Sequence, residues 1–204
     1  MKEANAERME GSSKRPAGRP RSEKTRKAIL KAASRLLKRH GFEEIATQQI
    51  AKEAGVSTAT LYRWWKNKQA ILLEAYLETA RELVPYGKGG SPLARLRNYT
   101  VRLAEFLKSE EGLVFLRLLL AIQERPKLRK AFYKSVFLPR RAEGCEVVRE
   151  AVKAGELPKT IDPDLTINLL IGSQILPALL GQEVSRELAE RAFEMVLRGA
   201  RGAR

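Results

Sequence analysis

The chain has 204 residues, 44% of them hydrophobic, with 39 Lys and Arg against 24 Asp and Glu, a net charge of +15 and a pI near 10.2. At about 150 residues per domain this is one or two domains with enough chain to bury a core, and the charge points to nucleic acid or an anionic membrane surface as partner. One cysteine, Cys145, and one histidine, His40, exclude an internal disulfide, a Cys-rich zinc site and most His-based chemistry, so no metal or cofactor is expected.

No apolar run approaches the roughly 18 residues of a membrane-spanning helix, and the charged N-terminus lacks the apolar stretch of a secretory signal. A cytoplasmic protein with a reduced thiol and no membrane partner is expected. The charge is uneven. Residues 1–68 hold 17 Lys and Arg against 7 Asp and Glu, and the stretch 14–39 has 11 basic residues and a single acid, Glu23.

Residues 1–21 show no apolar periodicity and read as a disordered basic arm. Within it, Lys14-Arg15-Pro16-Ala17-Gly18-Arg19-Pro20-Arg21 is kept extended by its prolines. Arg19 and Arg21 suit a narrow minor groove, where negative potential is enhanced; a merely solvated tail is the equal alternative.

From Ser22 the pattern is helical almost throughout. Ser22 is a candidate N-cap for a helix with Ile29, Ala32, Ala33, Leu36 and Leu37 on one face, ended by Gly41. Thr47 is the candidate cap of a short second helix with Ile50, Ala51 and Ala54 inside. Gly55 breaks it, and Ser57 caps a third helix carrying Leu61 and Trp65. A fourth follows Lys66-Asn67-Lys68, with Ile71, Leu72, Ala75 and Leu83. Pro85 through Pro92, with three glycines, reads as a linker.

Leu93 to Leu107 is amphipathic. Leu113 to Ile122 is apolar nearly all round and is expected to be buried. Leu128 to Ala154 is read as a long helix open to interruption near Pro139. Leu165 to Leu180, with Pro177 near its end, and Leu188 to Leu197 form a last apolar pair. No stretch alternates, so the expected fold is all-α. An N-terminal three-helix domain (22–68) precedes a C-terminal helical bundle (69–204).

The most informative stretch is Thr47 to Trp65. Two short helices cross steeply when the residue between them adopts a left-handed conformation, which suits Gly55. Ala51 is small where the helices touch, and Ile50, Val56, Leu61 and Trp65 pack beneath. This is the helix-turn-helix arrangement, whose second helix enters the major groove. That helix presents Thr58, Ala59, Thr60, Tyr62, Arg63 and Trp64. Hydroxyl and basic groups suit phosphates, while Gln, Arg and small apolar groups suit base edges.

The stretch Thr25 to Leu77 resembles the DNA-binding domain of TetR-type transcriptional regulators. The resemblance rests on Arg26 through Gly41-Phe42, on Thr47, Ile50, Ala51 and Ala54-Gly55-Val56-Ser57, and on Thr60-Leu61-Tyr62, Trp65, Lys66 and Lys68. Phe115 through Leu157, with Pro139-Arg140-Arg141 and Ala154-Gly155-Glu156-Leu157, is similar to a regulatory domain found in part of that family. The resemblance implies that Thr47, Thr60, Tyr62, Trp64 and Lys68 contact the DNA backbone. It implies that Gln48, Thr58, Ala59 and Arg63 read base edges. A smaller aromatic or His often stands where this chain has Trp64, which leaves packing, stacking and backbone contact open for it.

The resemblance further implies a ligand pocket in the C-terminal helices. Candidates are Leu103, Phe106, Leu107, Phe115, Leu119, Ile122, Phe132, Phe137 and Val148. Gln174, polar in an apolar run, either orients a ligand or satisfies a neighbour. The apolar set suggests an aromatic or aliphatic small-molecule effector, and the scattered arginines allow an acidic one. Two stripes are candidates for a homodimer seam: Leu169, Gly172, Ile175, Leu176 and Leu179, and then Leu188, Ala192, Met195 and Val196.

No phosphate loop, carboxylate pair or nucleophile–base set is present, so an enzyme is not expected. Two readings of the function stand. One is a ligand-responsive repressor acting as a homodimer on palindromic double-stranded DNA. The other is a constitutive or architectural DNA-binding protein.

Overall fold

The computed structural model describes residues 22–42 and 44–202, so the arm with Arg19 and Arg21 lies outside the described residues. The described chain is helical, without strands. Its elements are α1 (Glu23–His40), α2 (Thr47–Ala54), α3 (Thr58–Tyr62), α4 (Lys68–Leu83), α5 (Pro92–Lys108) and α6 (Glu110–Ala121), followed by α7 (Pro126–Phe132), a π-helical turn (Tyr133–Phe137), α8 (Leu138–Lys153), α9 (Pro163–Leu179) and α10 (Arg186–Gly202). Among the described residues no helix is long and apolar enough to cross a membrane.

Two apolar clusters organise the packing. The first joins Ile29, Leu36, Ile50 and Leu61 of α1–α3 to Ile71, Leu72 and Tyr76 of α4, and continues into Leu128, Phe132 and Val136. The second joins Leu96, Leu103 and Phe106 of α5 to Val148 and Ala151 of α8, Ile167 and Leu170 of α9, and Phe193 and Leu197 of α10. Phe115 of α6 packs against both, with its ring 5.5 Å from Tyr76 and 6.1 Å from Phe106. α4 is thus shared. It packs against α1 on one side and against α7 and the π-turn on the other.

Short polar side chains start the helices by accepting from otherwise unpaired N–H groups. Asn67 accepts from Ala70 at 2.9 Å, Ser91 from Ala94 at 3.2 Å, and Asp162 from Asp164 and Leu165 at 2.8 and 3.1 Å. Ser109 works at two helices. Its hydroxyl donates to the Phe106 carbonyl at 2.6 Å, closing α5, and accepts from the Gly112 N–H at 3.1 Å, opening α6. A Cβ at Gly112 would lie 2.0 Å from the Phe106 carbonyl oxygen, so this corner requires glycine.

Several expectations are corrected. Ser22 is the N-cap residue of α1, but its side chain makes no cap bond. Thr47 is the first residue of α2 rather than its cap. Ala46 takes the cap position, and the Gln49 side chain accepts from the Ala46 N–H at 2.6 Å. α3 ends at Tyr62, before Trp65, because the Trp64 N–H turns back to the Leu61 carbonyl in a tighter three-residue step. Leu113 and Leu120 are 49% and 58% exposed, since α6 packs one side on α5 and turns the other outward. The long helix expected over 128–154 is two helices joined by the π-turn. Pro139 has no N–H to give to Ser135, its ring would clash with that carbonyl, and the wider turn immediately before it accommodates both facts. The segment after α4 is no loose linker, because Tyr86 is buried and stacks on Tyr99 at 3.9 Å.

Candidate functional site

The α2–α3 corner is built from underneath. Gly55 adopts φ 67° and ψ 35°, and the Val56 N–H closes back on the Ala51 carbonyl at 3.0 Å. Ser57 caps α3 by accepting from the Thr60 N–H at 3.2 Å. Ile50, Ala51, Leu61 and Trp65 are buried below the corner. The Trp65 indole donates to Glu74 of α4 at 2.6 Å, and the same carboxylate pairs with Arg26 of α1. From the other side, Glu53 of α2 accepts from Arg35 at 2.7 Å and pairs with Arg39. The Arg35 guanidinium, together with Arg39, holds the Glu53 carboxyl below the usual carboxylate range.

With the inner face tied to α1 and α4, the remaining side chains of the corner face outward. Gln48, Ala59, Tyr62 and Arg63 are exposed, and Thr47, Thr58, Thr60, Trp64 and Lys68 are half-buried. Tyr62 bridges the two helices, its hydroxyl 3.4 Å from Thr47 Oγ1. The hydroxyls of Ser57 and Thr60 lie 3.0 Å apart. Trp64 packs partly on the N-terminal cluster, with its ring 6.0 Å from that of Trp65, so packing accounts for part of its surface. None of the expected contact residues in the described chain is buried, Tyr62 links α3 to Thr47 of α2, and residues 57–68 carry no acidic side chain.

A second feature is a cavity of about 410 Å³ bounded by α4, α5, α6, α7, the π-turn, α8 and α9. Of the candidate pocket residues, Leu103, Phe106, Phe115, Leu119, Phe132 and Phe137 line it. Leu107, Ile122, Val148 and Gln174 do not. They are buried in the packed clusters beside it, one helical face away. The Gln174 amide donates to the Leu170 carbonyl of its own helix at 3.2 Å, while its buried Oε1 has no hydrogen-bond partner among the described residues. Tyr76, Tyr99, Arg140 and Arg141 line the cavity without having been expected to. For Tyr99 the signal was available, since positions 99, 103 and 106 share one face of α5. Tyr76 escaped because α4 was read only as packing.

The expected seam residues are distributed over two faces. Leu169, Leu176 and Met195 are 49%, 61% and 72% exposed, and the stripe extends to Leu165 and Leu180 at 54% and 67%. Leu179, Leu188, Ala192 and Val196 are half-buried at its margin. Gly172 and Ile175 also border the cavity, so these two expected seam residues lie beside it. Cys145 is buried, and burial pushes its thiol up to about 11, which disfavours the thiolate.

Comparison with known proteins places both halves. The family described as bacterial regulatory proteins, tetR family, matches residues 29–75, and the tetracyclin repressor-like C-terminal domain matches residues 88–196. An uncharacterized HTH-type transcriptional regulator of Bacillus subtilis, YdeS, is 38% identical over 88% of this chain and 93% of its own. The regulator AqdR of Rhodococcus erythropolis is 24% identical over 88% and 86%. Among solved structures, the TetR-family regulator SCO0332 superposes with a TM-score of 0.76 at 24% identity, over 86% of this chain and 98% of its own. The Bacillus subtilis regulator FadR, solved with stearoyl-CoA, does so with 0.61 at 18% identity, over 85% and 98%. Helix-turn-helix corner, shared α4 and regulatory bundle thus agree with relatives along nearly the whole chain, which belongs to the TetR family of DNA-binding transcriptional regulators, proteins that are not enzymes.

Proposed function

We propose that the protein is a ligand-responsive repressor that binds a palindromic operator as a homodimer. The observation that carries this reading is the position of α4. One helix underlies the outward α2–α3 surface through Glu74 and borders the cavity through Tyr76 and Ala80. A molecule in the cavity touches the helix that aims the DNA-reading side chains. Ligand then favours whichever arrangement it binds more tightly, and DNA affinity changes by that difference.

On this reading residues 22–68 are the DNA-binding domain and 69–204 the regulatory and dimerisation domain. Gln48, Thr58, Ala59 and Arg63 face base edges; Thr47, Thr60, Tyr62, Trp64 and Lys68 face the backbone. Arg19 and Arg21 reach the minor groove from the arm. The exposed stripe of Leu169, Leu176 and Met195 supports a second copy, which would set half-sites at roughly 34–36 Å or a multiple of it. The cavity supports an apolar effector, as does the stearoyl-CoA held by the FadR structure of the same fold.

Selection of bound sequences from a random DNA pool, followed by titration of the complex with a small-molecule library, tests the reading. A two-fold symmetric site and a compound that weakens the complex are expected. A site without symmetry removes the homodimer on a palindrome, and a complex indifferent to every compound favours constitutive binding. In the same assay Arg63→Ala is expected to relax base preference at one position per half-site and to cost about 1–3 kcal/mol. An unchanged preference would remove Arg63 from base reading.

A further inference from the structure

The cavity has one charged wall. Arg140 and Arg141 are its charged lining residues, and no Asp or Glu joins them. The Arg140 side chain is only 12% exposed and pairs with Glu143. Its guanidinium donates to the Val84 carbonyl at 2.6 Å and lies 4.9 and 5.6 Å from the ring centres of Tyr86 and Tyr99. Glu143 is shared, because Arg81 of α4 donates to its other oxygen at 2.7 Å. Two guanidiniums draw on one carboxylate. The other acid at Arg81, Glu78, is 44% exposed, and so is a weak counter-charge. Arg141 pairs at 2.9 Å with Asp164, itself 57% exposed. The charge that lines the apolar space is therefore positive, the partner carboxylates Glu143 and Asp164 lying outside the lining, and a carboxylate entering there would be held by charge-assisted bonds.

We propose that the cavity takes a hydrophobic carboxylate, its head group on Arg140 and its apolar body among Tyr76, Phe106, Phe115 and Phe132. The inference rests on the effector reading and names its ligand class. It also supplies the coupling. Val84 is the C-cap of α4, and Glu143 holds Arg81 of the same helix, so Arg140 and its partner Glu143 are two side chains by which α8 grips the end of α4. A ligand carboxylate competes for the same guanidinium and loosens that grip.

Calorimetry on the full chain with sodium decanoate and decan-1-ol, matched in length, tests this directly. Decanoate is expected to bind roughly tenfold or more tightly than the alcohol. Arg140→Gln removes that preference and leaves the affinity for the alcohol. Arg140→Lys keeps the charge and part of the preference, while Arg149→Gln, exposed on the same helix, changes nothing. Should Arg140→Gln fail to fold, the ratio in the wild type and in Arg140→Lys decides. Amide exchange over residues 80–84 is expected to quicken with decanoate and not with decanol; unchanged exchange overturns the coupling. Equal affinities, absent decanoate binding, or a preference that survives Arg140→Gln overturns the subsite. None of these readouts involves DNA. Equal binding of both probes, with another compound releasing DNA, ends this proposal and leaves the effector reading. Tight decanoate binding with unchanged operator affinity supports the subsite and counts against decanoate as an effector.

Discussion

Two glycines show how differently a missing side chain can matter. Gly55 stands at φ 67°, where an L-residue is strained, yet a Cβ there would meet nothing within 4 Å. Gly112 lies in a helix, and its Cβ would stand 2.0 Å from the Phe106 carbonyl oxygen and 2.8 Å from the Leu107 Cα. Gly55→Ala should cost only the left-handed backbone penalty, about 1–2 kcal/mol. Gly112→Ala should cost more than that, because backbone atoms of the α5–α6 corner must move apart. Urea unfolding of both variants checks the order, and a larger loss at Gly55 would contradict it. Gly55 was legible because a turn between two short helical patterns leaves few residues that fit. The need at Gly112 was not, since it depends on how closely two successive helices approach rather than on any local preference.

At the scale of elements, the apolar period placed nearly every helix, and the errors fell where one backbone group decides. Ala46 takes the cap position expected of Thr47, with the Gln49 side chain reaching back to its N–H, and the π-turn before Pro139 leaves no mark in a periodicity of 3.6. Tyr86, in the segment between α4 and α5, went unread because its partner, Tyr99, comes from α5. The site followed the same rule. The outward side chains of α3 followed from local order, whereas Arg140 acquired its place only when α4, α5 and α8 came together. Ion pairs that join elements are equally invisible in sequence, and one of them makes a prediction. Glu53 holds α2 to α1 through Arg35 and Arg39, and its carboxyl is depressed in the folded state. A depressed folded value means that the stabilisation is present above the ordinary carboxylate range and fades as pH falls through the lowered value. Glu53→Gln should therefore lower the melting temperature modestly at pH 7, by no more than about 1 kcal/mol in stability for so accessible a pair. The deficit should vanish in acid. A deficit that persists there would assign the effect to packing.

The whole molecule divides its charge from its apolar surface. The N-terminal third carries most of the net charge, and α9 and α10 carry a stripe of exposed leucines with Met195. Each end makes its own prediction. Removing residues 1–21 deletes six Lys and Arg, so DNA affinity should fall at every sequence. Its salt dependence should flatten by about 0.9 in logarithmic slope for each phosphate that the shortened protein no longer neutralises. An unchanged slope across a salt titration would make the arm a bystander. At the other end, Leu176 is 61% exposed in the single chain, so Leu176→Glu leaves the fold of one copy almost untouched. If two copies meet on the α9–α10 stripe, the same change buries an unpaired carboxylate at the seam, where desolvation costs several kcal/mol. Sedimentation should then show a monomer with an unaltered helical spectrum. Operator affinity should fall steeply, since the second half-site is no longer delivered with the first. A variant that remains dimeric places the seam elsewhere. A monomer that still binds the full operator with undiminished affinity separates DNA recognition from dimerisation altogether.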